Sequence, residues 1–361
     1  KMNEIDYKFV HNDFRINGFP IDRERLIILA VAYVKDGLPY RKAVGRFLLD
    51  WLDDRDYIEA TTSGSTGVPK QIHIKKQNMV HSALATGEYL DLSPKDTALL
   101  CLPADFIAGK MMLIRAIILG LHIDIVRPSS MPLSLTSKNY DFMAMIPLQA
   151  SKSLADLGRV KKVILGGASI DGELEAKLQG ISADIYSSYG MTETISHIAM
   201  RHVNNEVKHQ DTYKAMPNVM FSKDDRNCLV IEAPLISDHP VVTNDIVDLI
   251  SATEFKWLGR YDNIINSGGF KIFPETVEQK IKKYIATDYF ITKEQDDDLG
   301  QRAVLYVQGD EKDYPTLAHD IYMDKDMLKY EVPRQIYFVP EFVYTDNQKI
   351  RREETVKKYQ K

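Results

Sequence analysis

The chain has 361 residues and a mass of 41.2 kDa, with 44% hydrophobic and 27% charged side chains, which leaves room for two or three domains and excludes disorder, collagen-like repeats and long coiled coils. With 46 basic against 51 acidic residues the net charge is -5 and the pI near 6.0, so no bulk positive field exists to hold a nucleic-acid backbone, and no nucleic-acid partner is expected. Two cysteines, Cys101 and Cys228, cannot build a disulfide framework, and neither lies in a CxxC pair; a reducing compartment fits them.

The amino terminus, Lys1-Met2-Asn3-Glu4, lacks a charged-then-apolar secretory pattern, and a cytoplasmic location is the expectation. From about Ile58 to Leu249 short apolar runs alternate with helix-patterned stretches. Ala98 to Leu102, Ile123 to Val126, Phe142 to Ile146 and Lys162 to Leu165 read as strands; Asn78 to Leu90 and Gly109 to Leu119 read as helices. This rhythm predicts a layered α/β domain with covered sheet faces. The most apolar stretch, Met111 to Val126, is interrupted by Arg115, His122 and Asp124 and is too short to cross a bilayer, so no membrane partner is expected.

After Gly259-Arg260 the pattern changes. A turn at Ser267-Gly268-Gly269 precedes Phe273-Pro274-Glu275, where Pro274 at a first helical turn opens an amphipathic helix, and the remainder reads as a small α+β unit. The predicted division is 1–260 and 261–361, near Arg260 to Asp262. No repeat of 20 to 50 residues is visible.

The strongest local signal is Thr61-Thr62-Ser63-Gly64-Ser65-Thr66-Gly67-Val68-Pro69-Lys70, which follows the predicted strand Tyr57 to Ala60. Hydroxyls interleaved with glycines and closed by a lysine bring backbone N–H groups, hydroxyl donors and one cation onto an anion, and phosphate is the natural guest. The GxxxxGK[ST] spacing is absent, so this is not a Walker A loop. An ordinary Ser/Thr/Gly surface turn is the bland alternative. Further clusters follow at Ser188-Tyr189-Gly190-Met191-Thr192-Glu193, at Gly259-Arg260-Tyr261-Asp262 with Ser267-Gly268-Gly269, and at Asp346-Asn347-Gln348-Lys349-Ile350-Arg351-Arg352. Taken singly, a Tyr-Gly turn is usually only a turn and a terminal basic cluster a solvated face.

Together and in this order these segments, from about Tyr57 to Arg352, resemble the adenylate-forming superfamily of acyl-CoA synthetases, adenylation domains and luciferases. Leu102-Pro103, Gly109 to Arg115, Ile164 to Ala168 and the Ser267-Gly268-Gly269 turn make the chain most similar to the o-succinylbenzoate–CoA ligase branch. The resemblance implies a large α/β domain, a small mobile α+β domain, and joining of a carboxylic acid to a thiol through an acyl-adenylate, with ATP, Mg2+ and coenzyme A. It further implies that Thr62, Ser63, Gly64, Ser65, Thr66, Gly67 and Lys70 hold the β- and γ-phosphates, that Glu193 coordinates Mg2+, and that Thr192 bonds the α-phosphate region. Gly167, Ala168, Tyr189 and Gly190 would form the adenine slot, Asp245 and Arg260 would hold the ribose, and Lys349 would bridge carboxylate and α-phosphate. Gly268 and Gly269 would pass the pantetheine arm after a swing about Asp262.

Some residues depart from the family pattern. Ser65 stands where threonine is common, Asn244 and Gln348 replace glycines, and Phe106 takes the place of a frequent histidine at the acyl-pocket gate. Relatives carry more residues ahead of the phosphate loop, so an amino-terminal subdomain is read as abbreviated, with a homodimer surface one consequence weighed. A succinylbenzoate carries two carboxylates, and its second one needs a cationic anchor. Arg115 is the candidate and Arg201 the alternative; for Arg115 an ordinary helix-pairing role stands beside it. Leu165 to Ile170 looks like a carrier-protein attachment site, but the strand entering it argues otherwise. His197 and His202 have no partner at metal-ligand spacing and read as structural. Two other readings stay open: another acid or a carrier-protein acceptor, and a non-catalytic nucleotide-binding protein.

Overall fold

A computed structural model describes residues 4–62, 70–205, 211–345 and 348–360. Ser63, Gly64, Ser65, Thr66 and Gly67 of the expected phosphate loop, Asp346 and Asn347 lie outside the described residues, as does the Thr62 side chain.

Thirteen strands among the described residues form one sheet. Its parallel half runs, in spatial order, Asp184–Gly190, Val160–Leu165, Tyr140–Met145, Thr97–Leu100, His122–Ile125 and Arg15–Ile16. The segments read as strands and helices from apolar patterning are present, with ends shifted by a few residues; the helices are Lys76–Tyr89 and Ile107–Leu119. Near-continuous apolar runs such as Phe142 to Met145 occur because helices cover these strands and neither face meets water.

On the other side of Asp184–Gly190 every pairing is antiparallel, through His197–His202, Thr212–Ala215, Glu254–Arg260, Val241–Ser251, Cys228–Glu232 and Met220–Lys223. The segments leaving the carboxyl ends of the parallel strands begin at Cys101, Ile146, Gly166 and Met191, and therefore line one edge of the sheet. Crevices at that edge, next to a change of strand direction, are where open α/β sheets bind ligands. A separate hairpin pairs Tyr57–Thr62 with Lys70–Lys75, and the Thr62–Lys70 pair closes it.

The amino-terminal residues are not an appendage. Arg23–Asp36 is capped by the Asp22 carboxylate, which accepts from the Arg25 N–H at 2.9 Å, and Pro39–Leu52 opens with Pro39 in its first turn. Together they carry Leu26, Phe47, Leu48 and Trp51 into the main core. Both cysteines are buried and free, and burial pushes the Cys101 thiol up to about 12.

Beyond Arg260 a second sheet begins, in the order Phe270–Ile272, Ile265–Ser267, Gly300–Gln308 and Tyr289–Asp296, with Gln335–Val339 parallel to Gly300–Gln308. The helix at Pro274–Ile281 starts with Pro274 in its first turn, as its sequence predicts. Val277, Ile281, Leu305 and Val307 form a core distinct from the large one, and Phe290, Tyr306 and Phe342 form another on the opposite face. No described helix is long and apolar enough to cross a membrane.

Trp51→Ala should lower stability by about 3–5 kcal/mol, read as a reduced midpoint in urea unfolding, because the indole is only 1% exposed within the main core.

Candidate active site

Asp245 is the centre of the site. It lies on Val241–Ser251, directly opposite Arg260 in the register with Glu254–Arg260, and is 5% exposed. The Tyr189 hydroxyl donates to its Oδ2 at 2.6 Å, Arg260 Nη1 donates to its Oδ1 at 3.1 Å, and its own N–H donates to Thr243 Oγ1 at 3.0 Å. Burial, then the neighbouring Asp245 charge, holds the Tyr189 phenol well above its ordinary range, so it remains a donor at neutral pH. The Tyr189 ring packs edge-on to Phe255 at 5.2 Å and against Tyr213 at 5.7 Å. The expected ribose pair is therefore one bonded unit, and Tyr189 belongs to it through its hydroxyl.

The Gly166-Gly167-Ala168 turn adjoins this strand. Ser188 Oγ donates to the Leu165 carbonyl at 3.2 Å, Gly167 has φ 83, and Gly167 and Ala168 are exposed at the sheet edge. Gly190 is required by close approach, since a Cβ there would lie 2.3 Å from the Ser196 carbonyl oxygen. After it, Thr192–Thr194 forms a short helical turn held by the Met191 N–H donating to Thr194 Oγ1 at 3.0 Å. Thr192 and Glu193 project as exposed side chains, and the Glu193 carboxylate has no partner among the described residues.

The next residue is strained. Ile195 has φ 67 and ψ -59, and Ser196 N–H donates to the Thr194 carbonyl at 2.7 Å, which makes a γ-turn of the unfavourable hand on a buried β-branched residue. Such strain persists only where surrounding structure over-determines it, and it concentrates at functional sites. The turn delivers Ser196 to Arg115.

Arg115 sits on Ile107–Leu119, an almost wholly apolar helix, and is 2% exposed. Its Nη2 donates to Ser196 Oγ at 3.1 Å, Nη1 has only the Met112 sulfur at 3.6 Å, and Nε has no partner among the described residues. No carboxylate pairs with it among the described residues, and burial pushes its pKa down to about 10. Beside it His197 Nε2 meets Thr86 Oγ1 at 2.9 Å; burial, then the Arg115 charge, holds the imidazole well below its usual range and hence neutral. For Arg115 the described residues offer no carboxylate with which a helix-pairing role would be made. Arg201, the alternative anchor, pairs with Glu175 at 3.1 Å. His202 lies 3.5 Å from Asp184 and stacks on Tyr186, the structural role expected of it.

The described residues thus form one line of contacts from Arg260 through Asp245, Tyr189 and the 190–196 turn to Arg115. Phe106 is 61% exposed at the start of the Arg115 helix, and Lys70 is exposed at the mouth of its hairpin. Lys349, Gly268 and Gly269 make no hydrogen bond or ring contact to this line among the described residues. They lie on the small unit, where Gly268 (φ 55) and Gly269 (φ 85) form the hairpin turn that only glycine accepts freely. Asp262 is exposed in the connecting turn, its carbonyl accepting from Lys293 Nζ at 3.4 Å. Ser196, Thr86, Tyr213 and Phe255 escaped sequence reasoning; the sole available signal was a polar pair, Ser196-His197, entering an apolar strand.

A family model described as AMP-binding enzyme matches residues 60–221. The 2-succinylbenzoate–CoA ligases of Salmonella typhimurium and Staphylococcus epidermidis are 27% and 26% identical over 79% and 81% of this chain, and the matches cover 64% and 67% of those proteins. The chain thus spans about two thirds of the length of the curated relatives it matches. An acyl-CoA synthetase (AMP-forming)/AMP-acid ligase II-like protein from Dyadobacter fermentans is 33% identical with a TM-score of 0.62, covering 92% of this chain and 97% of that one. The o-succinylbenzoate CoA synthetase of Bacillus subtilis, solved with an acyl-adenylate intermediate, shares the fold at a TM-score of 0.70 and 18% identity over 82% of this chain and 68% of its own.

A buried cation without an anion costs stability that an apolar side chain would not. Arg115→Met is expected to stabilise the ligand-free protein by about 1–3 kcal/mol, seen as a higher thermal midpoint; an unchanged or lower midpoint would show that the cation is already compensated.

Proposed function

The chain belongs to the AMP-binding enzyme family, and from that premise we propose that it is an ATP-dependent acid–CoA ligase acting on a dicarboxylate of the 2-succinylbenzoate type. The observation that carries this reading is Arg115, a buried guanidinium with no carboxylate partner among the described residues, linked by Ser196 to the turn that bears Thr192 and Glu193. An anionic group 2.8 Å or so from that guanidinium would satisfy a charge that the fold leaves unanswered.

In the first half-reaction a carboxylate oxygen attacks the ATP α-phosphorus and pyrophosphate leaves. The work is positioning and charge stabilisation. The Asp245 carboxylate accepts from the ribose hydroxyls, Arg260 adds a donor, and Gly167, Ala168 and Tyr189 bound the adenine. The hairpin loop from Thr62 to Lys70 takes the β- and γ-phosphates, and Thr192 donates near the α-phosphate. Glu193 would hold the Mg2+ that accompanies ATP, and the ion would supply neutralising charge at the phosphates. Among the described residues no group of three His, Cys, Asp or Glu could hold a metal, whereas a single exposed carboxylate, Glu193, suits an ion otherwise held by phosphate oxygens and water. Lys349 supplies a mobile positive charge to carboxylate and α-phosphate. In the second half-reaction the CoA thiol attacks the acyl carbon and AMP leaves.

The same proposal divides the chain at residues 260 and 261 and has the small unit rotate about Asp262. Support comes from the strand Gly300–Gln308, nine residues and so about 26 Å long. The Gly268 N–H bonds the Leu299 carbonyl at one end, and Tyr344, in the segment leading to Lys349, bonds Gln308 at the other. With the two groups at opposite ends of one strand, rotation of the small unit between the half-reactions would bring each in turn to the crevice.

The deciding assay couples AMP release to 2-succinylbenzoate, ATP, Mg2+ and CoA. Lys349→Ala should cut that rate at least 100-fold; no AMP with any acid in a panel, or with a carrier protein replacing CoA, would overturn the reading. Arg115→Ala should raise KM for the dicarboxylate about tenfold or more and leave a monocarboxylic aryl acid unaffected. Asp262→Pro should slow thioester formation more than adenylation, and equal loss in both would refute the hinge.

A further inference from the structure

Lys349 is exposed beside the bridge between Tyr344 and Ile350, and Thr345 N–H donates to the Lys349 carbonyl at 2.8 Å. Its ammonium has no partner among the described residues, so its position is inherited from the backbone beneath it. Three residues on, Arg352 opens the helix Arg352–Tyr359 and turns inward. Arg352 Nη1 lies 2.6 Å from Glu278 Oε1, Nη2 donates to Glu278 Oε2 at 3.0 Å, and Nη1 also donates to the Ile291 carbonyl at 2.8 Å. Ile291 N–H completes the ring by donating to Glu278 Oε1 at 3.0 Å, and the guanidinium lies over the Phe290 ring at 5.7 Å.

Two facts make this more than an ordinary ion pair. The pair is largely buried, with side chains 25% and 13% exposed, and an apolar pair of equal volume would hold the helix as firmly. What a bidentate fork adds is direction: it fixes the helix start in rotation as well as distance. Secondly, Glu278 belongs to Pro274–Ile281, the helix that meets the connecting segment. There Asn263 Nδ2 donates to Glu275 Oε1 at 2.6 Å and Thr276 Oγ1 to the Leu258 carbonyl at 2.7 Å. The lysine turn is therefore tied to the same helix that abuts the hinge.

We propose that Glu278 and Arg352 are positioning residues for the adenylation half-reaction, locking the Lys349 turn to the hinge-side helix so that rotation of the small unit carries the lysine as one rigid body. The proposal rests on the assignment of Lys349 given above. Loss of the fork leaves the ammonium charge intact and its location loose, which lowers the rate of the chemical step without weakening ATP binding. The glycine turn, bonded to Leu299 at the opposite end of Gly300–Gln308, keeps its own support.

The test measures each half-reaction alone in the full-length protein: pyrophosphate exchange with ATP and 2-succinylbenzoate, and thioester formation from chemically supplied succinylbenzoyl-adenylate with CoA. Glu278→Gln and the charge-free double variant Glu278→Met/Arg352→Met, which leaves no unpaired buried charge, are compared with Lys349→Ala. Both should lose 10-fold or more in kcat for exchange, with KM for ATP and the thioester rate each within about twofold of the parent, and Arg352→Lys should recover little of a parallel Arg352→Met loss. Equal loss in both half-reactions, or exchange unchanged in the double variant, overturns the positioning role. If Lys349→Ala itself leaves exchange intact, the lysine assignment fails and this proposal falls with it; if only Lys349→Ala is impaired, the assignment stands and the positioning role alone is refuted.

Discussion

The hydrogen bond from Tyr189 to Asp245 could not form in a flat sheet. The strands that carry them are separated by three others, a lateral distance of about 19 Å at ordinary strand spacing, yet the oxygens are 2.6 Å apart. The antiparallel half must therefore coil upon itself, and the aromatic cluster of Tyr189, Tyr213, Phe221 and Phe255 fills the space enclosed. Closing the coil brings the antiparallel strand ends over the carboxyl edge of the parallel half. Without that closure Asp245 and Arg260 would be ordinary surface residues of a remote strand.

Buried charge is used in two opposite ways in this protein. Arg115 is sealed among Met112, Ile114 and their neighbours with an uncharged serine as its best partner, a condition that raises the free energy of the empty protein and favours any ligand carrying the missing anion. Arg352 is answered by Glu278 on both oxygens, so its charge is neutralised and its geometry retained. The first arrangement suits recognition and the second suits alignment. The strained Ile195 turn belongs with the first, because it is what delivers Ser196 to the guanidinium.

Among the described residues the large and small units meet through polar bonds and one small apolar cluster. Lys282 reaches Glu175 at 3.3 Å, Thr276 Oγ1 donates to the Leu258 carbonyl at 2.7 Å, and Ile264 and Phe273 pack with Cys228, Ile246 and Leu258. The polar bonds exchange readily with water, and the shared cluster is small beside the apolar cores that each unit keeps for itself. A small unit built in this way can take up a second orientation at modest cost, as the proposed pair of half-reactions demands.

Much of this was legible in the linear chain. Period and punctuation placed four of the six parallel strands and two of the helices, because apolar runs bounded by Gly and Pro have few other solutions, and Pro274 marked the start of its helix; Arg15–Ile16 and Asp184–Gly190 carried no such pattern. Asp245 and Arg260, Tyr189 and the Thr192-Glu193 turn were singled out from motif order alone, and the fold brings Asp245, Arg260 and Tyr189 into one bonded unit. What no local pattern carried was contact across distance: that Tyr189 closes on Asp245, that Ser196 and not an acid faces Arg115, that Arg201 is spent on Glu175, and that Glu278 holds Arg352 from 74 residues away. Propensity and periodicity act over a few residues, whereas the coiling of a sheet and the partner of a buried charge are decided only when segments far apart in the chain compete for the same interior volume.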